Sequence, residues 1–240
     1  MSLALKLVLA PVLVAQAVAT RRRAPVLPEA EGPRQGRVGQ GGRALRVLIA
    51  GDSSAAGVGV PHQDQALAGH LSRALHQQAQ RPVHWSLHAK SGLTTRQVHE
   101  LLSAGPTPRA EVAVVVTGVN DVIELVPPRR AVQYRAALAD WLLQERGIGH
   151  VLFAPLPPVH RFPLLPEPLR RVMGADARRH DEAMARWAAT RRDVTHVPIA
   201  LDLSPEAMAH DGFHPGEPVY RACGEALAAG IAGLAAARVR

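Results

Sequence analysis

The sequence predicts an α/β fold: a three-layer α/β/α sandwich around a parallel sheet of about five strands. Short, nearly continuous apolar runs recur from residue 44 onward, as strands buried on both faces do. Longer segments with apolar residues at helical spacing alternate with those runs. Turn-forming residues punctuate the joins, and 240 residues are enough to bury a sizeable core.

Leu45–Ala50 (LRVLIA), ended by Gly51, reads as the first buried strand. About Gln65 to Gln78 follows as a helix, with Leu67, Leu71, Ala74 and Leu75 on one face. Val83 to Ala89 alternates as a strand does, and Thr94 or Thr95 is placed to cap a helix carrying Val98, Leu101 and Leu102. Glu111 to Thr117 is the central strand candidate, and Arg130 to Arg146 the next helix. His150 to Ala154 is another strand, followed by a loop with six prolines between Pro155 and Pro168. About Leu169 to Thr190 reads as helix, Val194 to Val197 as a brief strand, and Glu217 to Ala237 as a closing helix.

Ahead of this part lie two segments of different character. Residues 1–20 are apolar, with 13 uncharged residues from Leu7 to Ala19, then Arg21-Arg22-Arg23. That run is shorter than a full span and matches a signal-peptide core, although the arginines favour keeping the following chain on the cytoplasmic side. A short anchor, a cleaved signal, an amphipathic surface segment and a helix docked on the body are the four readings. Membrane association or a cell-envelope location is the expectation, on either side of the membrane. Residues 21–43, with five glycines, three prolines and eight charges, read as a linker. Residues 44–240 are then the folded catalytic domain.

Composition removes several classes of function. The net charge of +8 is concentrated in residues 1–43, and aromatic residues make up 3% of the chain, so no basic stripe with interleaved aromatics points to nucleic acid. The one cysteine, Cys223, excludes an internal disulfide and a cysteine-based zinc site. His84 with His88, and His210 with His214, lack a convincing third ligand, so no metal or other cofactor is expected.

In parallel α/β sheets, ligands sit at the carboxyl ends of the strands. Gly51-Asp52-Ser53 follows the first strand and would present a hydroxyl there, while lacking both the P-loop ending and the dinucleotide-binding glycine order. Lys90-Ser91-Gly92 follows the second, where a backbone N–H can face an anion. Gly118-Val119-Asn120-Asp121 follows the third, and an Asn amide can donate to a developing oxyanion. Asp211-Gly212-Phe213-His214 precedes the last helix, with the carboxylate placed to orient the imidazole. Each is an ordinary turn by itself. Together they supply a nucleophile, oxyanion donors, a base and its orienter, which is a complete acyl-transfer set.

These four blocks resemble the SGNH family of serine hydrolases, the GDSL-type lipases and esterases, over about residues 45–235. The resemblance implies a flavodoxin-like sandwich, Ser53 as nucleophile, Asp211 and His214 as its triad partners, and an oxyanion hole of the Ser53 and Gly92 N–H groups with the Asn120 side chain. Ser54 departs from the leucine often found after the nucleophile, which removes support for a strict lipase. The implied activity is hydrolysis of carboxylic esters, lipid-derived or small, through an acyl-enzyme on Ser53. The alternatives are O-deacetylation or acyl transfer on cell-envelope glycans, and a binding module on an inactive scaffold. Leu156 and Phe162 of the proline loop are candidate substrate contacts. The expected partner is the ester itself, with no nucleic acid.

Overall fold

The computed structural model describes residues 3–106 and 108–237. Fifteen elements follow in chain order. They are helix α1 (Leu3–Arg23), strands β1 (Gln35–Val38) and β2 (Leu45–Gly51), helices α2 (Ser53–Ala56) and α3 (Leu67–Ala79), strand β3 (Val83–Ala89) and helix α4 (Thr95–Ser103). Then come strand β4 (Val112–Val116), helices α5 (Val119–Ile123) and α6 (Pro128–Gln144), strand β5 (His150–Phe153), a 3-10 turn at Val159–Arg161, helix α7 (Leu169–Ala188), strand β6 (Val194–His196) and helix α8 (Glu217–Ala237).

The sheet has six strands in the order β1-β3-β2-β4-β5-β6. Five of them run parallel, from Leu45 pairing with Val83 to Phe153 pairing with His196. The sixth, β1, comes from the glycine-rich stretch read as a linker and pairs antiparallel with β3, Gln35 opposite Ser86 and Val38 opposite Val83. Its side chains are exposed or half-buried. Backbone pairing to an open edge therefore makes this strand, which is why hydrophobic patterning gave no sign of it.

Alternation along the parallel strands sends side chains to two cores. Leu48, Ala113, Val115, Val151 and Phe153 pack with Val98 and Leu102 of α4, Leu138 and Leu142 of α6, and Met184 of α7. On the other face, Val47, Ile49, Leu87, Val114 and Leu152 pack with Leu67, Leu71 and Leu75 of α3 and with Tyr220, Leu227 and Ile231 of α8. Each fully buried leucine contributes roughly 1.5–3 kcal/mol. Three layers result, the α/β/α sandwich that the alternating pattern predicted.

Helix α1 lies against α7. The Gln16 side chain donates to the Glu167 carbonyl at 2.6 Å and accepts from the Leu169 N–H at 3.1 Å. Val8, Val14 and Val18 on other sides of the helix are exposed. Among the described residues, no helix is long and apolar enough to cross a membrane.

The topology also selects where a site can form. The chain starts the parallel sheet at β2 and places β3 on one side and β4, β5 and β6 on the other. The order reverses at β2, and a crevice opens at its carboxyl end. Gly51-Asp52-Ser53 occupies that point.

Candidate active site

Ser53 is the first residue of the four-residue helix α2. Asp52 caps it by accepting the Ser54 N–H at 3.0 Å, and Gly57 ends it in the left-handed conformation. The first backbone N–H groups of a helix have no intrahelical acceptor, and Ser53 stands at that position.

His214 is delivered from the turn before α8. Asp211 Oδ1 accepts the backbone N–H groups of Phe213 and His214, each at 2.9 Å, which folds the turn back on itself. Asp211 Oδ2 lies 2.5 Å from His214 Nδ1, and His214 Nε2 lies 3.2 Å from Ser53 Oγ. Burial pushes the Asp211 carboxyl up, but hydrogen bonds from the His214 ring and the two backbone N–H groups outweigh it and leave the net shift downward. An ionised carboxylate can only accept, so Nδ1 donates, which leaves Nε2 as the acceptor for the serine hydroxyl. The Phe213 ring meets the imidazole edge-on at 5.1 Å and the Phe162 ring at the same distance.

The capping box of α4 settles the choice between two threonines. Thr94 is the cap, with Gln97 Oε1 accepting its N–H at 2.9 Å, and Thr95 is thereby left to bond elsewhere. The N–H and hydroxyl of Thr95 donate to Asp121 at 3.0 and 2.6 Å. Asp121 also meets the Arg135 guanidinium of α6 at 3.4 Å, with both side chains fully buried. Asn120, next to Asp121, uses one amide hydrogen to reach the Leu93 carbonyl at 3.0 Å, which ties the loop of Gly92 to that of Asn120. An amide has a second hydrogen to offer. A side chain at Gly118 (φ +134°) would place its Cβ 2.5 Å from the guanidinium, so this turn needs glycine twice over.

The turn holding Gly92 is also gripped by residues of the N-terminal stretch. Glu29 Oε1 accepts the Ser91 N–H at 2.7 Å, and its other oxygen pairs with Arg34 at 2.8 Å. Arg34 in turn donates to the Ala89 carbonyl at 2.5 Å. Nothing in a linker-like composition marks these two residues. The buried Arg135 did leave a signal: it follows Ala131 by four residues and precedes Leu138 by three, a core position on α6.

An apolar cavity of about 70 Å3 runs inward from Ser53, Asn120 and His214, walled by Phe162, Leu203, Met208, Val219, Tyr220 and Leu227. The structure thus brings Phe162 to the serine, while Leu156 packs under Gly118 and lines a neighbouring cavity. Cys223 lines the same cavity, and burial pushes its thiol up to about 12, so it is an inert wall. Among the described residues, no group of three His, Cys, Asp or Glu side chains could hold a metal ion.

Asp52 has a measurable signature. Burial raises its carboxyl to about 7; the Ser54 N–H and His214 pull the other way, and Asp121 adds to the rise. Between its ordinary 3.8 and about 7, the folded chain holds a proton here that the unfolded chain has released. This group therefore lowers stability as pH rises through that window. An Asn keeps an acceptor for the Ser54 N–H. The Tm advantage of Asp52→Asn over the parent should grow from pH 4 to pH 7 and then level off. Melting curves that stay parallel across that range would show that Asp52 is not the proton-binding group.

The fold and the cavity shared by Ser53, Asn120 and His214 point to a class. The chain belongs to the GDSL-like Lipase/Acylhydrolase family, whose sequence profile matches residues 49–222. A GDSL-like esterase of Mycobacterium tuberculosis is 28% identical over 196 residues, which cover 76% of this chain. The aligned part is 60% of that relative's length. The lipase Lip_vut3 from a goat rumen metagenome has a TM-score of 0.61 at 19% identity, covering 79% of this chain and 98% of that one. A carbohydrate esterase family 2 enzyme of Corynascus thermopiles (Myceliophthora fergusii) has a TM-score of 0.63 at 16% identity, covering 81% and 68%. At these identities the two structures share the fold.

Proposed function

We propose that this chain is a serine esterase that cleaves carboxylic esters with short acyl groups. One observation carries the reading: the chain of contacts from Asp211 through His214 to Ser53, at 2.5 and 3.2 Å. The serine attacks the ester carbonyl while His214 Nε2 takes its proton. The imidazolium that forms is held by the Asp211 carboxylate. The negative carbonyl oxygen faces the N–H groups of Ser53 and Gly92 and the second amide hydrogen of Asn120. His214 then returns the proton to the leaving alcohol. A water that gives its proton to the same nitrogen attacks the acyl-serine, and His214 passes that proton to the departing Ser53 oxygen as the acid is freed.

The relatives add support. The relative from M. tuberculosis bears the name esterase, and the family bears the name lipase and acylhydrolase. The small, apolar cavity beside Ser53 favours acetyl to butyryl chains over long ones. Turnover of p-nitrophenyl acetate, butyrate and octanoate tests this, together with labelling by a fluorophosphonate probe. Hydrolysis of the short esters and labelling at Ser53 are expected. Absence of both would refute the esterase reading, and octanoate as the best substrate would refute the acyl-length part.

Asn120 offers a second measurement. Its loss removes an oxyanion donor and costs about 10²–10³ in kcat. Asn120→Ala should therefore lower kcat by that factor with KM within a few-fold. Because the same amide also ties the Gly92 loop, Asn120→Asp should fail to rescue the rate: a carboxylate has no hydrogen to donate.

A further inference from the structure

A second cavity, of about 390 Å3, opens beside the apolar one and shares Pro157 and Leu201 with it. Its lining differs in kind: Arg161 and His160 of the 3-10 turn face Arg178 and Asp181 of α7 across it. Gly174 makes this facing arrangement. A Cβ there would lie 2.5 Å from His160 Cβ and 2.7 Å from its backbone nitrogen, so only glycine lets the turn press on α7. Positions 174, 178 and 181 fall on one face of a helix, and the close approach therefore brings Arg161 opposite Arg178 and Asp181.

Two guanidinium groups, Arg161 and Arg178, stand against one carboxylate, Asp181, so the lining is positive on balance. Asp181 Oδ1 is occupied by the Leu156 N–H and by His196 Nε2, each at 2.9 Å. Asp176, nearby on α7, pairs with Arg179 at 3.2 Å. Among the described residues, neither Arg161 nor Arg178 has an ion pair, and two guanidinium forks remain for a guest. We propose that this cavity binds the alcohol half of the substrate ester and that this half carries an anionic, phosphate-type group held by Arg161 and Arg178. The division follows from the two linings: the apolar cavity at Ser53 suits the acyl chain, and the one that carries two guanidinium groups suits a hydrophilic anion. This proposal rests on the esterase reading above and deepens it.

The test compares 2-butyryloxyethyl phosphate with its neutral partner 2-hydroxyethyl butyrate, for the full chain and for the double variant Arg161→Gln, Arg178→Gln. The parent should show a kcat/KM about tenfold or more in favour of the phosphate ester, carried by KM and reduced at high salt. The double variant should lose that preference while hydrolysing p-nitrophenyl butyrate at the parent rate. No preference in the parent, or a preference that survives in the variant, would overturn the subsite. Titration with 2-hydroxyethyl phosphate reads the subsite without turnover. Binding that the double variant loses supports it even if no ester is cleaved, in which case the esterase reading alone has failed. Inorganic phosphate bound as tightly as 2-hydroxyethyl phosphate would mark an ion site rather than a place for the alcohol, and would also overturn the proposal.

Discussion

Ser53→Ala is expected to lower kcat on p-nitrophenyl butyrate by roughly 10⁴- to 10⁶-fold, the cost of removing a nucleophile that acts as one unit with its base. The fold should survive. Ser53 Oγ has a hydrogen bond to His214, the backbone cap of α2 comes from Asp52, and alanine suits the first helical position. Circular dichroism and Tm should stay close to those of the parent, and fluorophosphonate labelling should vanish. Ser54→Ala is the matching control, because Ser54 stands next in sequence yet His214 reaches Ser53. It should keep activity within a few-fold. If Ser53→Ala retained a tenth of the parent rate, the acyl-enzyme mechanism would be wrong.

Asp121→Ala carries the largest expected loss of stability, about 3–5 kcal/mol, because it leaves a fully buried guanidinium without its counter-ion. Burial pulls the Arg135 guanidinium below its ordinary pKa, against the pull of Asp121, Asp181 and Asp52. Among the described residues, two of its nitrogens, Nε and Nη1, have no hydrogen-bond partner, so Asp121 is the contact that keeps the charge tolerable. The variant also loses the bonds from Thr95 that join α4 to α5. Denaturant unfolding should show the loss, and Tm should fall by on the order of 10 °C. Adding Arg135→Met to Asp121→Ala should restore part of the stability, since the stranded charge is then gone. A double variant no more stable than Asp121→Ala alone would show that the cost lies in the Thr95 bonds rather than in the buried charge.

The sequence by itself determined the class of fold and named candidate site residues. Val112–Val116 and His150–Phe153 are apolar enough to be strands buried on both faces, and the helices between them carry their apolar residues at the right spacing. The strand-end blocks are legible because each needs particular residue types within a few positions: Ser53 after Gly51-Asp52, Asn120 beside Asp121, His214 three after Asp211. Such short-range requirements are written in consecutive residues.

What only the tertiary structure decided depends on residues far apart in the chain. Glu29 and Arg34 hold the Gly92 turn from a stretch whose composition reads as linker, and β1 forms because β3 offers an open edge. Arg135 meets Asp121 from another helix, and Arg161 and Arg178 line one cavity because Gly174 leaves the 3-10 turn room to approach. Local pattern reports what one residue demands of its neighbours in sequence. Which backbone edge, carboxylate or guanidinium lies opposite is set by packing, where the partner is chosen by distance in space and by the need to pair every buried polar group.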